Sequence, residues 1–225
     1  MTVGEIVTLD PTGAVGAEKA KTRPAVVLHV FGATVLVVPV TDARKSRLPT
    51  HYLLRGYDSG TQAKDALVTC EHLMCVAPAR LSRRAAAAVL TPADLAEVKH
   101  RVRLAVALEQ VPTPPPGSPK LKRGSFVSVD FLRGVPPEPT GVAWSLILSN
   151  DTGNYFGRHY IVAPVVVEPV MGVSVTPLPV GAAGAVDLGR MRVVDHDRLA
   201  AGGQSLAAAQ VDMNEVDAAL RTVLK

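Results

Sequence analysis

A proline-rich run near the middle of the chain limits its folding more than any other feature. Residues 111–119 read VPTPPPGSP and contain five prolines in nine positions. Proline fixes φ and has no backbone N–H, so this run cannot continue a helix or a central strand and favours an extended spacer. The sequence therefore predicts two domains, residues 1–110 and residues 120–225, joined by a linker at residues 111–119.

The two halves repeat one pattern. Four segments match in order at offsets of 120, 120, 125 and 118 residues: GEIVTLD with GSFVSVD, RPAVVL with AWSLIL, VVPVT with VAPVV, and VAPARL with VVDHDRL. Internal similarity at a nearly fixed offset indicates a tandem duplication, in which each copy forms the same structural unit.

Each copy predicts strands followed by one closing helix. A first strand, at residues 3–9 or 124–131, leads through a polar loop into two apolar strands and then shorter ones. Thr91 before Pro92 predicts the start of the first closing helix, and Asp212 that of the second. Valine and alanine dominate the apolar residues and aromatics are only 4%, which favours β-branched cores. The expected class is mainly β (α+β).

Composition excludes several other classes. No stretch has the roughly 20 apolar residues of a spanning helix, and the first residues lack a signal-peptide pattern, so a cytoplasmic protein without membrane contact is expected. Cys70 and Cys75 have no histidine pair at ligand spacing nearby, which predicts buried free thiols and no metal or other cofactor.

The excess of positive charge lies in the first half. Residues 1–110 hold 14 Lys and Arg against 10 Asp and Glu, whereas residues 111–225 hold 10 against 10. An anionic partner would be drawn to the first half.

Several of these segments resemble the MazF/PemK family of toxin endoribonucleases. They are GEIVTLDPTGAVGAEKAKTRPAVVL, VVPVT and KSRLPTHYLL in the first copy, and LILSNDTGNYF, IVAPVV and MRVVDHDRL in the second. The resemblance implies that each copy is an SH3-like small β-barrel (MazF/CcdB-like) with a C-terminal helix. Because the family normally forms homodimers, a covalent tandem implies an intramolecular pseudo-dimer, with further dimerisation left open. The implied partners are single-stranded RNA and a cognate antitoxin protein.

The resemblance also implies a chemistry and its residues. The family cleaves RNA without a metal: the ribose 2'-hydroxyl attacks the adjacent phosphate and leaves a 2',3'-cyclic phosphate. Arg23 matches the family's catalytic arginine and Thr41 its catalytic threonine. A planar guanidinium can bind two phosphate oxygens at once, which suits it to this reaction. Glu18 matches a loop glutamate that accepts the 2'-hydroxyl proton or pairs with Arg23.

Seven further residues are predicted to bind RNA. The basic cluster after Thr41 suits phosphates, the histidines suit a groove beside the site, and the arginines of the second copy suit the far side of that groove. These residues are Arg44, Lys45, Arg47, His51, His72, Arg190 and Arg192. His72 stands where the family usually has glutamine.

The second copy departs from the family at both catalytic positions. Ala143 replaces the arginine and Val166 the threonine, which predicts one active site in the chain. Two alternatives stay open. One is a non-catalytic module of the same fold that binds RNA or, like the CcdB relatives, acts on DNA gyrase; the other is an inactive toxin kept for regulation.

Overall fold

A computed structural model describes most of the chain. The described residues are 1–11, 18, 21–44, 48–58, 63–84, 88–111, 113–114, 121–132, 134–167, 175–177, 184–199 and 211–225. The predicted linker at residues 111–119 therefore lies largely outside them. No helix of this described part is long and apolar enough to cross a membrane.

The N-terminal half, residues 1–110, contains seven strands and one α-helix among its described residues. They are β1 (Ile6–Leu9), β2 (Arg23–Val30), β3 (Val35–Asp42), β4 (His51–Asp58), β5 (Ala63–Thr69), β6 (Met74–Val76), β7 (Leu81–Arg83) and α1 (Pro92–Ala105). Short 3-10 turns, Cys70–His72 and Pro78–Arg80, flank β6. The half thus has the predicted order of strands closed by a helix.

The C-terminal half, residues 120–225, follows a similar order, with six strands among its described residues and one additional short helix. Its elements are β8 (Phe126–Asp130), β9 (Val142–Ile147), α2 (Asp151–Phe156), β10 (His159–Val166), β11 (Val175–Pro177), β12 (Ala185–Asp187), β13 (Arg192–Asp195) and α3 (Met213–Val223). The short helix α2 occupies the turn between β9 and β10, which explains why the repeat offset grows from 120 to 125 residues.

Local chemistry explains the helix ends and one backbone turn. The Thr91 side chain accepts the Asp94 N–H and Pro92 begins α1, and the Asp212 side chain accepts the Asn214 N–H at the start of α3. Both caps were predicted and both are confirmed. Gly4 and the equivalent Gly124 have φ of +87° and +84°, a region that disfavours other residues.

The described strands of both halves join in one sheet. The order along it is β11-β12-β10-β13-β6-β3-β2-β1-β7, with β4, β5, β8 and β9 paired beside this path. The halves meet where β6 pairs antiparallel with β13, with Met74 opposite Arg192. The mainly β class is therefore confirmed, but the ladder among described residues is continuous and does not close into two separate barrels.

Hydrogen bonds at this junction are symmetric. The Cys75 N–H donates to the Met191 carbonyl at 2.7 Å, and the Val193 N–H donates to the Leu73 carbonyl at 3.0 Å. Cys75 and Val193 are equivalent in the repeat at an offset of 118, as are Leu73 and Met191. Each half thus gives the other the same bond, as expected around a two-fold axis.

One buried apolar cluster runs through both halves. It includes Val26, Leu36 and Val102 of the first half together with Leu146 and Leu220 of the second. Cys70 and Cys75 are buried and free, as predicted, and burial raises the pKa of both thiols. The two halves therefore share one hydrophobic core.

Candidate active site and the contact between the halves

Arg23 begins β2 at one edge of the sheet. Its backbone lies opposite Leu9 of β1, and on the other side the pair Ala25 and Pro39 joins β2 to β3. Because the strands are antiparallel, the position two residues before Ala25 lies across from the position two residues after Pro39. Arg23 therefore lies across from Thr41. Pro24 follows directly and restrains Arg23 to an extended backbone, which explains why the strand begins here.

Arg23 and Thr41 lie on the same face of the sheet. Side chains of a strand alternate between faces, so Arg23 shares its face with Ala25 and Val27, and Thr41 shares its face with Val37. Both side chains are half-buried. The edge therefore presents a guanidinium and a hydroxyl together, with access to solvent.

The Arg23 guanidinium has unused donors. Its Nε donates to the Lys21 carbonyl at 2.9 Å, and among the described residues no carboxylate pairs with it. Desolvation by partial burial lowers the pKa of Arg23, although an arginine stays protonated at pH 7. Within the same described set, the Thr41 hydroxyl also has no hydrogen-bond partner. Both groups can therefore bind an incoming anion.

The predicted basic cluster is only partly described. Arg44 is 90% exposed and forms an ion pair with Asp42 at 2.7 Å, and this hydrogen bond lowers the pKa of Asp42 to about 2. The Arg44 guanidinium is thus at the surface just beyond Thr41. Lys45 and Arg47 lie outside the described residues.

Glu18 reaches the other half of the chain. Its carboxylate accepts the Asp195 N–H at 2.9 Å and binds the Arg198 guanidinium at 2.9 Å. The side chain is almost completely buried. Glu18 is thus engaged with two residues of the second half, and its catalytic role stays a prediction.

Glu138 makes the reciprocal contact. Its carboxylate accepts the Ala77 N–H at 2.8 Å and binds Arg80 at 2.6 Å. Glu138 is equivalent to Glu18, and Arg80 is equivalent to Arg198. Each half therefore inserts one loop carboxylate against the buried arginine of the other.

The two arginines predicted on the second copy differ in exposure. Arg192 is buried, desolvation lowers its pKa, and its guanidinium lies 3.7 Å from Glu138. Arg192 therefore belongs to the contact between the halves, and its predicted role in RNA binding stays a prediction. Arg190 is half-buried and binds Asp187 at 3.1 Å.

The position equivalent to the Arg23 site is an open cavity in the second half. The register of β9 and β10 ends at the pair Ser145 and Pro164, so Ala143 lies across from Val166 in the same way. A cavity of about 390 Å³ is lined by both residues and by Arg190. Small apolar side chains thus leave space where the first half presents a guanidinium and a hydroxyl.

His51 and His72 lie around the mostly buried carboxylate of Glu71. The Glu71 Oε1 atom is 2.9 Å from His51 Nε2 and 3.7 Å from His72 Nε2. His72 also stacks on His159 of the other half, with ring centroids 4.5 Å apart. The side chains of His51 and His72 are buried, which gives both histidines contacts different from the RNA contacts predicted for them.

The neighbouring histidines lower the pKa of Glu71. Burial alone would raise its pKa, but the hydrogen bond from His51 and the nearby His72 outweigh this and bring the pKa to about 2. Glu71 is therefore a carboxylate at neutral pH. Glu71, Arg80 and Glu138 are polar residues of the junction that the sequence did not predict; for Glu138 the available signal was its alignment with Glu18.

These features describe a tandemly duplicated, mainly β protein with one polar edge site. The family pattern of the PemK-like, MazF-like toxins of type II toxin-antitoxin systems matches residues 2–106 and again residues 122–224. The chain therefore belongs to the PemK/MazF toxin family and carries two copies of its unit. No curated protein matches the sequence.

Two solved structures are similar over about half of the chain. One is an endoribonuclease in complex with its cognate antitoxin from mycobacterial species, with 15% identity, 49% of this chain and 99% of that chain covered, and a TM-score of 0.38. The other is the Mycobacterium tuberculosis toxin MazF-mt6, with 17% identity, 47% and 99% coverage, and a TM-score of 0.34.

Proposed function

We propose that this chain is an endoribonuclease toxin that cleaves single-stranded RNA without a metal ion, at one active site in its N-terminal half. The observation that carries the proposal is the β2–β3 register, which brings Arg23 across from Thr41 on one half-exposed face. Membership of the PemK/MazF family supports the reaction class.

The proposed step is an internal transfer at phosphorus. The 2'-oxygen forms a bond to the adjacent phosphorus, the bond from phosphorus to the 5'-oxygen breaks, and a 2',3'-cyclic phosphate and a 5'-hydroxyl result. One proton leaves the 2'-oxygen and one is added to the 5'-oxygen. Arg23 binds the phosphate oxygens, where charge rises in the transition state, and the Thr41 hydroxyl donates to one of them.

We also propose that the two halves form a pseudo-dimer, in which each half corresponds to one copy of the family's unit. The symmetric bonds of Cys75 and Val193 and the reciprocal contacts of Glu18 and Glu138 support this arrangement. An antitoxin is the regulatory partner that family membership suggests. RNA and such an antitoxin are met in the cytoplasm, which is the compartment that the proposal assigns.

Cleavage of a long RNA of mixed sequence tests the proposal. Purified protein is incubated with this RNA in EDTA, and primer extension maps the cuts. We expect discrete cuts in single-stranded regions that persist in the chelator. Folded protein that binds the RNA without cutting it would favour the non-catalytic RNA-binding module instead.

Thr41→Val is expected to lower the cleavage rate by about 10²-fold, the cost of removing one donor to a developing oxyanion. Valine keeps the shape of threonine, so the fold should be unchanged. Thr222→Val is the matched control, because that exposed hydroxyl donates to the Ala218 carbonyl of its own helix and to no other described residue. Single-turnover rates measured on one short RNA compare the variants, and equal rates for both would remove Thr41 from the reaction.

Ala143→Arg is expected to create no second active site. The new guanidinium would enter the cavity of the second half, but Val166 there still lacks the hydroxyl. In an Arg23→Ala background, Ala143→Arg should therefore leave RNA uncut, as read on the same short RNA. Restoration of cleavage by this single change would show that the hydroxyl is dispensable.

A further inference from the structure

The Glu71 region brings together three metal-ligating side chains from both halves. One ligand atom each from Glu71, His72 and His159 lies within 4.8 Å of the other two. Three ligands of a tetrahedral zinc ion, at bonds of about 2.0–2.1 Å, lie about 3.4 Å apart. The present spread exceeds this by up to about 1.4 Å. The rings of His72 and His159 are stacked with 22° between their planes, so binding one ion requires one of these rings to turn.

The carboxylate of this group is already oriented by its neighbours. Thr50 Oγ1 donates to Glu71 Oε2 at 2.9 Å, and His51 Nε2 lies 2.9 Å from Oε1. The Leu48 N–H donates to His51 Nδ1 at 3.2 Å, so in neutral His51 the proton is on Nε2 and points to Glu71. Hydrogen bonds of this kind fix ligating groups in metal sites.

The surroundings suit an ion with one open position. A mainly apolar cavity of about 250 Å³ lies beside the group and is lined by Glu71 and His159. It has space for a water molecule as the fourth ligand. His72 is buried, and Glu71 supplies the negative charge that offsets part of a dication.

We propose that Glu71, His72 and His159 form a binding site for a divalent transition-metal ion, with Zn²⁺ as the preferred ion. Two imidazoles and one carboxylate are ligands that zinc commonly takes. Glu71 and His72 belong to the first half and His159 to the second, so the ion joins the halves. Its role is to stabilise their contact, and the cleavage reaction proposed above does not need it.

Zinc binding by the untagged, metal-free chain tests this site. Titration calorimetry with Zn²⁺ should give one ion per chain, and the midpoint of thermal unfolding should rise by about 5–10 °C at a Zn²⁺ concentration of 100 times the Kd. His159→Ala should weaken binding at least about 100-fold and remove this rise. His100→Ala is the matched control, because that histidine lies at the surface 4.0 Å from Glu109.

Glu71→Gln provides a second variant in case His159→Ala does not fold. It keeps the shape of the side chain but removes its charge, and binding should weaken to a similar extent. Arg23→Ala should bind Zn²⁺ like the unchanged chain, so the metal site and the nuclease proposal can fail separately. Absence of any Zn²⁺-dependent rise, or equal binding by the His159→Ala and His100→Ala variants, would overturn the site.

Discussion

Arg23→Ala is expected to lower the rate of RNA cleavage by about 10³-fold or more, the cost of removing an arginine that stabilises charge on a transferring phosphate. Arg23 has a half-exposed guanidinium whose only hydrogen bond among the described residues is from Nε to the Lys21 carbonyl. Its remaining donors can bind phosphate oxygens. Single-turnover cleavage of one short RNA in EDTA measures the loss.

Two further variants distinguish the effect of the guanidinium geometry from the effect of positive charge. Arg23→Lys keeps the positive charge but loses the two-oxygen grip of the guanidinium, so most of the activity should still be lost. Arg158→Ala removes an exposed arginine that pairs with Asp197 at 3.1 Å, and its rate should stay within about two-fold of the unchanged chain. Cleavage by Arg23→Ala at the rate of Arg158→Ala would exclude Arg23 from the active site.

Glu138→Ala is expected to lower the free energy of unfolding by about 3–5 kcal/mol, the usual cost of removing one partner of a buried ion pair. The Glu138 side chain is 0% exposed and binds Arg80 at 2.6 Å. Its removal leaves Arg80 and the nearby Arg192 buried without this carboxylate. Urea unfolding followed by circular dichroism measures the change.

Two other variants serve as references for the loss of stability in Glu138→Ala. Glu97→Ala removes an exposed carboxylate that lies 3.6 Å from Arg101 on α1, and it should cost less than about 0.5 kcal/mol. Glu18→Ala removes the equivalent carboxylate of the first half, which binds Arg198, and should destabilise the chain as Glu138→Ala does. Equal stability of the Glu138→Ala and Glu97→Ala variants would contradict the reciprocal contact of Glu18 and Glu138.

Much of the fold was accessible from local sequence signals. The repeat offsets predicted equivalent strands, and the caps Thr91 and Asp212 predicted the starts of α1 and α3, because capping depends on a few neighbouring residues. The class was predicted from the excess of β-branched residues. The continuous sheet was not predicted, because the pairing of β6 with β13 joins residues more than 100 positions apart.

In the candidate site, too, the features set by local sequence were predicted and the contacts between distant residues were not. Arg23 and Thr41 were found because each belongs to a short motif and the register of one hairpin brings them together. The burial of Glu18 and Arg192 could not be predicted, because a carboxylate or an arginine in a sequence carries no sign of its burial. Both lie at the contact between the halves, where they bind residues of the other copy.

The histidines illustrate the limit of spacing arguments. The sequence predicted no metal site, since no two histidines stand at ligand spacing near Cys70 and Cys75. The structure brings His159 against His72 across the junction, a contact between residues 87 positions apart in the chain. Only the pairing of the two halves creates the group of Glu71, His72 and His159.

The chemistry of the cut RNA ends tests the account most directly. After cleavage in EDTA, one portion of the fragments is treated with polynucleotide kinase and labelled ATP, with and without prior phosphatase. The 3' ends of a second, untreated portion are analysed by mass. Attack by the 2'-hydroxyl predicts 5'-hydroxyl ends that label without phosphatase and 2',3'-cyclic phosphates at the 3' ends. Fragments with 5'-phosphates and free 3'-hydroxyls would contradict the proposed reaction at Arg23 and Thr41.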